Sequence, residues 1–193
     1  MNNTERGVEV IGKVIRAICK RPRELVITRE DTAGNVELAI EANPADTRRL
    51  VGRGGKTLES LRFICEAMSD GDRGLCEKRI AIANPIQPNE NEQHPAEPFV
   101  VDPRWPRGFV EGMIREILEL AYGVPAKVLT VQHQPYAVKV YGIPQTDLAG
   151  VEGFGKMDRA LETVFVPIGT NVGMRIYAHV RDWRDTSKVR VVA

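Results

Sequence analysis

Leu50-Val51-Gly52-Arg53-Gly54-Gly55-Lys56-Thr57 is the stretch on which the reading of this chain turns. A Gly-x-x-Gly pair, Gly52 and Gly55, sits between two short amphipathic patterns, and glycine lets backbone approach a ligand with no Cβ in the way. Arg48, Arg49, Arg53, Lys56 and Arg62 fall within residues 48–62, where Glu59 is the only acid. The helix that begins after the loop aims the positive end of its dipole at the same place. Uncovered amides, local cations and a helix N-terminus together favour an anion. The strand–helix–loop–helix setting narrows that anion to a nucleic-acid backbone.

Outward from the loop, the surrounding sequence supplies a small α+β unit. On the N-terminal side, Asn43 suits a helix cap, Pro44 the first helical position and Asp46 the capping-box acid, so a short helix is predicted to reach Leu50. Before it, Val36, Leu38 and Ile40 alternate with Glu37, Ala39 and Glu41 as a half-buried strand, joined to the strand Leu25–Thr28 by a turn at 31–35. Val8, Ile11, Val14, Ile15 and Ile18 recur at helical spacing, and Arg21-Pro22 ends that first helix. On the C-terminal side, Leu58, Leu61, Cys65 and Met68 mark a longer helix, and 75–83 a third strand. The predicted order is helix–strand–strand–helix–loop–helix–strand.

Residues 107–193 repeat that order. Val110, Met113, Ile114, Ile117, Leu118 and Ala121 outline a helix, and 127–131 and 137–141 two strands. Residues 144–151 suggest a short helix, Leu161, Val164 and Phe165 a longer one, and 174–180 a last strand. Aligning Gly155-Lys156 with Gly55-Lys56 brings Leu161 onto Leu61 and Val164 onto Ile64, which reads as a diverged duplication. Between the units, residues 85–106 hold six of the twelve prolines. Proline removes donors and disfavours helix before it, so this segment reads as a semi-extended linker dividing a first domain, 1–84, from a second, 107–193.

Composition sets outer limits. The chain has 193 residues, 42% apolar and 27% charged, with a formal charge of +1, as in an ordinary globular protein. Total charge neither favours nor excludes nucleic acid, and the local patch carries the argument. No apolar run approaches the ~20 residues of a membrane helix, and residues 1–6 lack signal-peptide character. Cys19, Cys65 and Cys76 are odd in number and widely spaced, so they are expected to be reduced, which favours a cytoplasmic location.

The first unit resembles a bacterial type II KH domain. The resemblance rests on Val36-Glu-Leu-Ala-Ile40 and on Ala45-Asp-Thr-Arg-Arg-Leu-Val-Gly-Arg-Gly-Gly-Lys-Thr-Leu-Glu-Ser-Leu-Arg62, and covers roughly residues 8–84. These are similar to the core strand, glycine loop and following helix of small KhpA-type proteins and of the KH domain of Jag-type proteins. A tandem pair is also similar, in architecture alone, to the paired KH region of the transcription factor NusA. The resemblance implies a grip on single-stranded RNA, the loop holding the backbone of about four nucleotides. Gly52 and Gly55 would be the turn glycines, Arg53 and Gly54 the variable pair, with Lys56, Arg48, Arg49 and Arg62 adding charge. Val51, Leu58, Ile80 and Ile82 are candidates for a base-contacting groove.

The second unit departs from that pattern, because Glu152 falls in the would-be cradle in either glycine register and carboxylates repel phosphate. It is therefore expected to extend the surface, orient the first unit or meet a protein, and a protein partner or a homodimer stays open. The alternative reading of the whole is an assembly module on a KH scaffold without RNA. Gly55-Lys56-Thr57 imitates the end of a phosphate-binding P-loop, but Leu50 stands where that motif needs glycine and a helix, not a strand, precedes it. His94 in the linker, His133 in a turn and His179 on a strand are too scattered for a metal or a catalytic base. Neither an enzyme nor a cofactor is expected.

Overall fold

The structure, a computed structural model, describes residues 3–32, 35–69, 79–83, 107–147 and 153–182. The first unit consists of α1 (Asn3–Ile18), β1 (Val26–Thr32), β2 (Asn35–Glu41), α2 (Pro44–Val51), a 3-10 turn (Arg53–Gly55), α3 (Lys56–Ser69) and β3 (Arg79–Ile82). The second consists of α4 (Arg107–Tyr122), β4 (Ala126–Gln134), β5 (Ala137–Pro144), α5 (Phe154–Asn171) and β6 (Arg175–Val180).

Each unit builds a three-stranded sheet of one topology. β1 runs antiparallel to β2 and β3 parallel to it, and β4, β5 and β6 repeat this arrangement. The register repeats as well: Val36 pairs with Ile80, and Val138 with Ile176. The helices repeat their buried positions, with Val10, Ile11, Val14 and Ile15 of α1 matched by Met113, Ile114, Ile117 and Leu118 of α4. Leu61, Ile64 and Met68 of α3 are matched by Leu161, Val164 and Ile168 of α5, all buried. The α+β architecture of two similar units is thus present in topology, register and core pattern together.

The two sheets lie outside and the helices between them. α1 and α3 pack on the inner side of the first sheet, α4 and α5 on that of the second, and the helices of one unit pack on those of the other. The buried apolar side chains of both units form one continuous cluster. Burying a Leu or Ile is worth about 1.5–3 kcal/mol. The Lys13–Glu116 ion pair across the seam, at 3.7 Å with both side chains 38% exposed, is worth at most about 1 kcal/mol. Apolar burial therefore holds the seam. Lys13 and Glu116 nevertheless occupy equivalent positions in α1 and α4, as expected of residues facing each other across a pseudo-twofold axis.

Several boundaries differ from those predicted. β4 and β5 continue to Gln134 and Pro144, with the hairpin turn at Pro135-Tyr136, so His133 lies in β4 beside a bulge rather than in the turn. Pro144 ends β5 and 145–147 are not helical, which corrects the start of the expected helix over 144–151; residues 148–151 lie outside the described residues. Pro144 is tolerated because it is the last paired residue of its strand. The linker over 85–106, residues 75–78 of the third strand, Cys76 and His94 also lie outside the described residues. Among the described residues, no helix is long and apolar enough to cross a membrane.

Candidate nucleic-acid interface

α2 begins as its sequence demands. Asn43 Oδ1 accepts from the Asp46 N–H at 3.0 Å and Pro44 fills the first turn, where its missing donor costs nothing. The buried Asp46 carboxylate also accepts from Lys20 N–H at 2.8 Å and Arg21 N–H at 3.0 Å, tying the start of α2 to the segment after α1. Sequence reading caught the cap and missed this second role. Both donors are backbone N–H groups, so the Lys20 and Arg21 side-chain charges are not spent on Asp46. The Arg21 side chain pairs with Glu24 at 3.4 Å.

The chain leaves α2 at Gly52, with φ 73° and ψ 177°, a region open in practice to glycine alone. A Cβ there would sit 2.1 Å from Thr57 Oγ1, so this glycine is demanded by packing as well as by backbone angles. Gly54 (φ 63°) and Gly55 (φ 78°) differ: a Cβ on either would meet nothing within 4 Å. Gly55 N–H donates to Gly52 O and Lys56 N–H to Arg53 O, so two amides close the turn. The Arg53–Gly54 tip is exposed, and α3 starts immediately behind it at Lys56. An unhindered backbone tip at a helix N-terminus suits an oxyanion.

The structure divides the predicted cations. Arg48, Arg53 and Lys56 are exposed around the turn. Arg62 is also exposed but lies six residues along α3, about 9 Å from Lys56. Its Nε donates to Ile82 O at 3.0 Å. Arg49 points the other way, into the seam: Nε donates to Ile18 O at 3.0 Å, and a terminal nitrogen donates to Pro167 O at 3.2 Å and to Asn171 Oδ1. The Asn171 amide in turn donates to Ala17 O, Ile18 O and Cys19 O. Of the expected groove residues, Leu58, Ile80 and Ile82 belong to the core, and Val51 is half-buried.

The second unit has a different approach to its long helix. Residues 145–153 join β5 to α5, nine against the fourteen of 42–55, and Glu152 lies outside the described residues. Gly153 caps α5 at φ 87°, with its Cβ position 3.6 Å from the Phe63 ring of α3. Phe154, half-buried in the first turn of α5, packs against the common core. This helix start is thus close to the other unit.

The two described cysteines belong to the core. Burial above all, helped by Asp46, pushes the Cys19 thiol up to about 12, and burial alone raises Cys65, so both stay protonated and unreactive near neutrality. His179 Nδ1 lies 3.4 Å from Asp158. No group of three or more His, Cys, Asp or Glu among the described residues is placed to hold a metal ion.

Comparison with known proteins agrees with this geometry. Residues 8–79 match the family described as KhpA/KhpB, KH domain. RNA-binding protein KhpA of Thermotoga maritima is 32% identical over 72 residues, 37% of this chain and 96% of that protein. RNA-binding protein KhpA of Leifsonia xyli subsp. xyli is 30% identical over 60 residues, 31% of this chain and 79% of that protein. No solved structure matches. The matched span runs from within α1 to the start of β3 and contains the Gly52–Gly55 turn, and on that span the chain belongs to the KhpA/KhpB KH-domain family.

Proposed function

We propose that this chain binds single-stranded RNA without catalysing a reaction, and that the 52–55 turn grips the sugar–phosphate backbone. Family membership supports RNA as the ligand. The observation that carries the site is the exposed Arg53–Gly54 tip, open above two positive-φ glycines, at the N-terminus of α3 and flanked by exposed Arg48 and Lys56. Each exposed cation can neutralise a phosphate, and the amides of the Arg53–Gly54 tip can donate to its oxygens. Arg62 borders the same path further along α3. Arg49 contributes by fixing α2, since its guanidinium is committed to carbonyls of α1 and α5.

In this reading the gripping unit is 1–84, a linker spans 85–106, and the unit from 107 is a KH-like repeat that does not grip. The nine-residue approach to α5 supports that division, as do Glu152 in the sequence and the apposition of Gly153 to Phe63. The buried, protonated thiols fit a reducing, cytoplasmic setting.

Ultraviolet crosslinking of the full chain to short single-stranded RNA, followed by peptide mass spectrometry, tests the site. Crosslinked peptides covering 48–58 are expected. Crosslinks confined to other surfaces would refute the assignment.

A further inference from the structure

The outer faces of the two sheets have opposite chemistry at equivalent positions. In the second sheet, Lys139 and Tyr141 of β5 alternate with the buried Val138 and Val140, and pair with Tyr177 and His179 of β6. They therefore face away from the helices. Tyr141 and His179 are stacked with ring centroids 5.9 Å apart, and the Arg181 guanidinium lies 5.6 Å from the Tyr141 ring centre. In the first sheet the matching register places Glu37 where Lys139 stands, Ala39 where Tyr141 stands and Ala81 where Tyr177 stands. The first unit folds with small and acidic residues there, so the architecture does not itself require an aromatic, cationic face. The paired positions on this face of β4, β5 and β6 include Lys127, Lys139 and Arg175 and no Asp or Glu. Asp158 of α5 meets His179 at the free edge of β6, where it also accepts from Val180 N–H.

We infer that the outer face of the β4-β5-β6 sheet is a second RNA-contacting surface, on which bases of a single strand stack against Tyr141 and its neighbours while Lys139 and Arg181 meet phosphates. Aromatic rings flanked by cations form a sequence-tolerant platform for single strands, because every base has a π-face. The inference rests on the reading that the chain binds single-stranded RNA. It gives the second unit a contact of its own in place of the grip it lacks.

The test measures affinity of the full chain for a 20-nucleotide and a 4-nucleotide oligouridylate by fluorescence anisotropy, together with thermal unfolding. Tyr141→Leu keeps apolar bulk and removes the π-face, and Tyr141→Phe restores it. Tyr141→Leu is expected to bind the 20-mer about 5- to 150-fold more weakly, the range of one lost stacked base, with the melting temperature and 4-mer affinity unchanged and with recovery in Tyr141→Phe. Unchanged 20-mer affinity in Tyr141→Leu would overturn the inference. So would a loss of affinity that only tracks a loss of fold. If Arg53→Asp/Gly54→Asp abolishes binding of both oligomers while Tyr141→Leu alters neither, the loop reading stands and the platform falls.

Discussion

Glycine is favoured at 52 and at 54 to different degrees and for different reasons, and the difference is measurable. Gly52 lies in a region that β-carbon-bearing residues avoid at a cost of about 1–3 kcal/mol, and its would-be Cβ collides with Thr57. Gly54, at φ 63° and ψ 27°, is ordinary left-handed helix with open space around it, where alanine costs about 1–2 kcal/mol. Gly52→Ala should therefore lower the denaturant midpoint more than Gly54→Ala, and equal midpoints would contradict this. The need for glycine was legible in the sequence, but its cause at 52 was not, because Thr57 meets Gly52 only after the turn closes. Arg49 teaches the same lesson. In sequence it is one more cation of the cluster, and only the packing of α5 reveals that its guanidinium serves the seam.

Helices and strands were legible because their apolar periodicities survive in both units; Val36, Leu38 and Ile40 stay fully buried as alternation predicts. Their ends were less so. β5 runs through Pro144 because a terminal paired position tolerates a missing donor, a matter of register that one strand's sequence does not carry. The free edge of β6 supplies a pH prediction. Asp158 is half-buried, which alone would raise its carboxyl; the adjacent His179 ring, the hydrogen bond from Val180 N–H and the nearby Arg181 charge outweigh that and hold it below its ordinary 3.8. A carboxyl depressed on folding contributes stability above its unfolded value, and that contribution is lost as pH falls through the folded one. Urea unfolding followed from pH 6 to pH 3 should therefore show a steeper loss below about pH 4 in the native chain than in Asp158→Asn. Parallel curves would remove Asp158 from this role.

At the scale of the molecule, the two units act as one body. Their apolar residues form one cluster, and Asn171 of α5 caps three carbonyls at the end of α1 that a helix terminus otherwise leaves to solvent. Asn171→Ala should cost about 1–3 kcal/mol, with unfolding by fluorescence and circular dichroism still coincident; two separated transitions would show that the seam is not cooperative. The pseudo-symmetry was visible in the spacing of Leu61 and Leu161. The helix-to-helix seam was not, since an amphipathic face does not say which other face will cover it.

The central claim is that the 52–55 turn grips a polynucleotide backbone, and Arg53→Asp/Gly54→Asp tests it most directly. Arg53 and Gly54 are exposed, and asparagine and aspartate are among the residues that best tolerate the left-handed angles of Gly54, so a variant that still folds is expected. Affinity for single-stranded RNA, measured across a salt series on variant and native chain with their folds compared by circular dichroism, is the deciding quantity. The account predicts loss of the salt-sensitive tetranucleotide binding with the fold retained. Undiminished tetranucleotide affinity in the folded double variant would contradict it.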